Sequence, residues 1–197
     1  MPSFETYIEE LLRWKGLPQI NLIRPWKPGE TIAVENAIQA AVKNSQIVGM
    51  EIPKFTGSNQ AKGNKAADFF IATISPSLPA NSRMEKASGK GYPDRLLVMG
   101  ATPHFMELKA TANWRNSDTN RRVLTSSPTK MISLVGEPQK YVPTHLICTV
   151  LYSDMTSTVQ GVRLDFIEPD SQVNIRLEAS TSQRLLTLGA QKTFILP

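Results

Sequence analysis

A chain of 197 residues, 41% hydrophobic and 20% charged, has the composition of a globular protein with a substantial core and not of a disordered or fibrous one. One cysteine, Cys148, excludes an internal disulfide framework, and with only two histidines it excludes a Cys/His zinc site. A net charge of +5 and a pI near 9.4 suit a polyanionic partner without identifying one.

Phe4, Tyr7, Ile8, Leu11 and Leu12 recur at helical spacing and predict an amphipathic helix stopped by Gly16 and Pro18. Leu17 to Gly29 carries three prolines and reads as an irregular connection. Ile32, Ala33, Ala37, Ile38, Ala41 and Val42 predict a second helix with Thr31 as its N-cap. Ile47 to Phe55 is a short strand candidate. Thr56 to Lys65 is polar and basic and reads as a loop, either solvated or contacting DNA through Lys62 and Lys65. Ala66 to Ile74 fits helix or strand, and Ser75 to Lys90 reads as another loop.

The chain is organised around Gly91 to Thr111. Arg95 to Met99 predicts a strand, Gly100 to His104 carries turn residues, and Phe105 to Thr111 predicts a second strand. The two-residue period of a strand puts Glu107 and Lys109 on one face and Leu108 on the other. A hairpin here brings Asp94 back beside Glu107. Phe105, Met106, Leu108 and Ala110 make both faces apolar, and charged groups there are costly unless paired or bound to a metal. The bland alternative is an exposed Glu–Lys pair on a half-buried strand, with Asp94 capping a turn after Pro93.

Pro93-Asp94 followed by Glu107-Leu108-Lys109 resembles the motif of the PD-(D/E)xK nucleases, which include most type II restriction endonucleases. The resemblance covers about twenty of the 197 residues. It implies an α/β (α+β) fold: a mixed central sheet flanked by helices, with an αβββαβ core. It implies Mg²⁺ held by Asp94, Glu107 and the Leu108 carbonyl, with Lys109 orienting the attacking water. A helical acid often joins the metal in such nucleases, which makes Glu35 a candidate; the alternative is a solvated Glu in a first helical turn. The implied substrate is double-stranded DNA, cut to a 5′-phosphate and a 3′-hydroxyl by a homodimer. A DNA methyltransferase encoded nearby is the partner enzyme such a system implies, without direct contact.

Beyond the motif, Asn113, Arg115, Asn116, Asn120, Arg121 and Arg122 are residue types that contact bases and phosphates, and are candidates for DNA contact. A solvated loop is the alternative. Ser127 and Pro128 predict the start of a helix through Val135, where Ser126, Ser127 and Lys130 are placed to take a phosphate. Thr144 to Tyr152 predicts a buried strand. Val159 to Glu168 and Val173 to Glu178 predict a terminal hairpin, and Ser180 to Leu188 a last helix. The expected organisation is one nuclease domain over 1–197. Its parts are a helical segment at 1–45, a catalytic core at about 46–153, and a strand pair with a helix at 154–197.

No apolar run reaches the length of a membrane span, and no signal peptide is evident, so the expected compartment is the cytoplasm. No Walker loop or GxGxxG is present, and neither His104 nor His145 lies by a nucleophile signature such as GxSxG. Two other readings stay open beside the restriction enzyme. One is a junction resolvase or repair nuclease of the same fold, and the other is a non-catalytic DNA-binding domain.

Overall fold

The structure is a computed structural model, and it describes residues 1–112, 123–125, 127–177, 183–187 and 192–196. The first helix, α1 (Phe4–Trp14), forms as its spacing predicts, with Ser3 Oγ accepting the Thr6 N–H at 3.1 Å. The second, α2 (Pro28–Ser45), begins earlier than expected. Pro28 takes the first turn, and the Glu30 carboxylate accepts the Lys27 N–H at 3.0 Å, so Thr31 lies inside the helix and is not its cap.

The expected loop at Thr56 to Lys65 is helical. It opens α3 (Asn59–Ile74), where Ser58 Oγ accepts the Ala61 N–H at 3.2 Å. Gly63 and the polar run hid the helical period, and packing decided the outcome: a methyl placed on Gly63 would just touch Ala110. The expected strand at Ile47 to Phe55 is reduced to a single bridge, Glu51 to Thr158. Positive φ at Gly49 and at Lys54 breaks any extended run there.

Within the expected loop at Ser75 to Lys90 lies an edge strand, β1 (Ser82–Lys86). It pairs antiparallel with β2 (Arg95–Met99), and β2 pairs antiparallel with β3 (Thr102–Thr111). The connection is tighter than expected: Gly100 at φ 59° and Ala101 make the turn, and Thr102 to His104 already belong to β3. After β4 (Val123–Thr125), the predicted helix α4 (Pro128–Val135) crosses to β5 (His145–Ser153), which runs parallel to β3. Next, β6 (Thr158–Ile167) pairs antiparallel with β5.

The chain ends differently from the expected hairpin and helix. The strand β7 (Val173–Leu177) pairs with β8 (Gln183–Thr187), not with β6, and β8 falls where a helix was predicted. Strand β4 adds to β8, giving a three-stranded sheet in the order β4-β8-β7. The main-chain groups after β6 go to the N-terminus instead. Phe4 N–H donates to Ser171 O at 2.8 Å, Glu5 N–H to Pro169 O at 3.0 Å, and Val173 N–H to Pro2 O at 3.0 Å. The final strand, β9 (Lys192–Leu196), pairs with the outer edge of β6.

The main sheet therefore reads β1-β2-β3-β5-β6-β9. Its alternating side chains build two cores. Leu97, Met106, Leu146, Cys148, Val150 and Leu164 face α2 and α3, whereas Leu96, Val98, Phe105 and Ile147 face α1 and α4. The fold class is thus a mixed α/β sheet with helices on both faces. Among the described residues, no helix is long and apolar enough to cross a membrane.

One buried polar chain ties these layers together. The Tyr92 hydroxyl lies 2.6 Å from His145 Nδ1, and His145 Nε2 lies 2.7 Å from Leu22 O. A carbonyl only accepts, so Nε2 carries the proton and Nδ1 accepts from Tyr92. Burial holds the His145 pKa down at about 4, so the ring stays neutral. Replacing Tyr92 by Phe strands Nδ1 without a donor. Thermal or urea unfolding should register a loss of about 1–3 kcal/mol.

Candidate active site

The end of the β2–β3 ladder makes the site. Arg95 opposite Met106 is the last register pair, and Asp94 N–H still donates to Met106 O at 3.0 Å. One step on, the N–H of Leu108 faces the same edge, but no strand residue continues to meet it. The Asp94 carboxylate does so: Oδ2 accepts the Leu108 N–H at 3.0 Å. The carbonyl of a β residue points to the same edge as its N–H. Leu108 O is therefore directed to the side where Asp94 sits.

Glu107 projects from β3 onto the α1/α4 face and is 5% exposed. Its Oε1 accepts from Lys109 Nζ at 2.6 Å, and its Oε2 is buried with no hydrogen-bond partner among the described residues. Burial is the main force on this carboxyl, pushing its pKa up to about 7; Lys109 opposes that and the neighbouring Asp94 charge adds to it. Two carboxyls and one ammonium thus converge at the ladder's end, as the hairpin argument predicts. Asp94 and Glu107 hold no proton donor between them when both are ionised. The pair is relieved either by a proton or by a cation.

Several candidates are arranged otherwise. Glu35 lies on α2, whose residues Val34 and Ile38 pack with Met106, on the sheet face opposite Glu107. Among the described residues no group of three His, Cys, Asp or Glu side chains suited to a metal is found. Lys62 and Lys65 sit on α3 over that same opposite face, and both are engaged. Lys62 Nζ lies 3.0 Å from Asp154 Oδ1, and Lys65 Nζ donates to Thr56 O at 2.9 Å and to Lys54 O. Asn113, Arg115, Asn116, Asn120, Arg121, Arg122 and Ser126 lie outside the described residues.

Lys130 is at the site, but it grips the backbone. Its ammonium donates to Gly89 O at 3.0 Å and Gly91 O at 2.8 Å, while Ser127 Oγ donates to Lys90 O at 3.1 Å. The start of α4 thereby holds three successive carbonyls of the loop that leads into Asp94. Burial lowers the Lys130 pKa, and the charges of Asp94 and Glu107 act against that shift. The histidines are structural. His104 Nδ1 lies 2.6 Å from Thr144 Oγ1 and its ring stacks on Trp26 at 4.8 Å. Burial pushes the Cys148 thiol up to about 12, which makes it inert.

The sequence reading missed a second polar group on the same face. Arg163 and Asp165 on β6 are fully buried and pair at 2.9 Å. The readable signal was their alternation within the apolar run Val162 to Ile167. Beside them, Thr149 of β5 is fully buried, its hydroxyl without a partner among the described residues.

A divalent cation fits the donors present. Asp94, Glu107 and Leu108 O offer hard oxygen ligands, and Mg²⁺ normally keeps several waters besides. The buried, unmatched Glu107 Oε2 is the atom such an ion would satisfy. The chain matches no protein-family model, and a comparison with curated proteins found no match.

The raised Glu107 pKa has a signed consequence in the absence of metal. The folded protein keeps a proton on Glu107 that the unfolded chain releases around the ordinary value of 4.5. Stability therefore falls as pH rises from about 4.5 to about 7 and levels above that, by about 3 kcal/mol in all. Glu107→Gln should flatten that segment of the pH–stability curve. Equal slopes for the wild type and the variant in EDTA would show that Glu107 does not titrate as described.

Proposed function

We propose that this chain is a Mg²⁺-dependent endonuclease of the PD-(D/E)xK type that hydrolyses duplex DNA at a short specific site, as type II restriction enzymes do. The observation that carries the reading is the convergence of Asp94, Glu107 and Lys109 where the β2–β3 ladder ends. The element order α3-β1-β2-β3-α4-β5 supports it, since it follows the αβββαβ order of that family. The basic charge suits a DNA partner.

In this reading Asp94, Glu107 and the Leu108 carbonyl hold the ion. When bound, Mg²⁺ polarises the scissile phosphate and lowers the pKa of water beside it. Asp94 does two jobs, because the carboxylate that meets the cation also fixes the Leu108 main chain at 3.0 Å. Lys109 favours the ionised form of Glu107 against the effect of burial, and presents an ammonium to charge that builds on the phosphate oxygens. The α4 grip on the 89–91 carbonyls keeps the approach to Asp94 in place. Water is the nucleophile, the P–O3′ bond breaks, and the products carry a 5′-phosphate and a 3′-hydroxyl.

Incubation of varied plasmid DNA with Mg²⁺, with EDTA as control, tests the reading. Discrete fragments that vanish with EDTA are expected. Asp94→Ala and Lys109→Ala should each lower the cleavage rate at least about a hundredfold while the protein stays folded. Undiminished cutting by either variant removes that residue from the site. Preference for four-way junctions would point to a resolvase, and DNA binding without metal-dependent cleavage to a binding module.

A palindromic site calls for two equivalent active centres related by a two-fold axis, so a homodimer is expected. Sedimentation with and without DNA checks this; a monomer in both states would contradict it.

A further inference from the structure

Interior faces of this sheet are apolar almost throughout, yet one contiguous patch on the α1/α4 face is polar. Strand register defines it. Glu107 of β3 aligns with Ile147 and then Asp165, and Lys109 aligns with Thr149 and then Arg163. Neighbouring strands lie about 4.8 Å apart, so the row from Lys109 to Arg163 spans about 10 Å. Thr149 Oγ1 and both Arg163 Nη atoms are buried with no hydrogen-bond partner among the described residues, in the same patch as the unmatched Glu107 Oε2. Buried donors left unmet are rare, and their grouping beside a pair of acids marks a place built for a ligand.

The chemistry selects an oxyanion. Arg163 gives its Nε to Asp165 Oδ2 at 2.9 Å, and its Nη edge, without a hydrogen-bond partner among the described residues, is open for a two-pronged contact. Thr149 adds a hydroxyl donor from the adjacent strand. Glu107 engages the remaining cation of the row, Lys109. We propose that Thr149 and Arg163 form an anion subsite that binds a phosphate group of the strand held at Asp94 and Glu107. The proposal rests on the nuclease reading for the identity of that strand, but not for the existence of the subsite.

Both residues are sealed from solvent in the free protein, at 0% and 1% exposure. A phosphate reaches them only when the chain over this face lifts. The unmet donors lower the cost of that opening, because the closed form satisfies none of them. Binding then shifts the population toward the open form.

Inorganic phosphate is the probe. Thermal melting in EDTA, titrating phosphate against chloride at constant ionic strength, gives an apparent affinity for wild type, Thr149→Val and Arg163→Lys. Thr149→Val is nearly isosteric and removes only an unmet hydroxyl, so its melting temperature in chloride should equal or exceed that of the wild type. Phosphate affinity should fall at least about threefold in Thr149→Val and at least about tenfold in Arg163→Lys. An unchanged affinity in either variant, or no phosphate effect on the wild type, overturns the subsite. Plasmid cleavage is scored separately. Phosphate binding lost in both variants with no DNA cut by the wild type keeps the subsite and rejects the nuclease; cutting with unaltered phosphate response does the reverse.

Discussion

A carboxylate standing in for a strand organises this protein. Where β2 gives out, the Leu108 N–H would be left unmet on the edge of a buried strand. Asp94 Oδ2 fills that position at 3.0 Å. This single bond fixes the separation of Asp94 from β3. It also places the Asp94 charge beside Glu107, so that one contact completes the sheet and creates its electrostatic stress. Burial, the Lys109 ammonium and the Asp94 charge then settle between them how readily Glu107 ionises. The Tyr92–His145–Leu22 chain below and the α4 contacts above hold the same loop from two sides.

Much of this was legible where one period dominates. The apolar spacing of α1, the Ser127-Pro128 start of α4, and the unbroken apolar run of β5 each point to one element, and each forms. The same-face placement of Glu107 and Lys109 follows from strand geometry alone. In α3, by contrast, the first turns are Asn, Gln, Lys and Gly, whose polarity reads as loop. The helix exists because Ala66, Phe70 and Ile74 bury their side chains later in it. The bounds of β1 were hidden for the opposite reason: an edge strand with mixed exposure has no clean alternation.

The longer-range failures share one cause. Whether β7 turns back on β6 or joins another sheet depends on partners far away in sequence, here β8 and the N-terminal Pro2 to Glu5. The polar row through Thr149 and Arg163 was invisible because it runs across three strands, and only register assembles it. Asp165 and Arg163 did announce themselves locally, as charges alternating inside an apolar run, although their position beside Lys109 could not be read.

The strand order also carries a cost in time. Among the described residues β4 finds its neighbour in β8, some sixty residues later, and the outer edge of β6 is covered by β9, about twenty-five residues after β6 ends. Such pairings have high contact order and form late. During synthesis the ten-residue β6 emerges with an open edge, and it stays so until β9 follows. An exposed apolar edge is a template for pairing with another chain. The five-residue β9 therefore covers an edge that would otherwise stay open, and a chain lacking it would expose the β6 edge to pairing with another molecule.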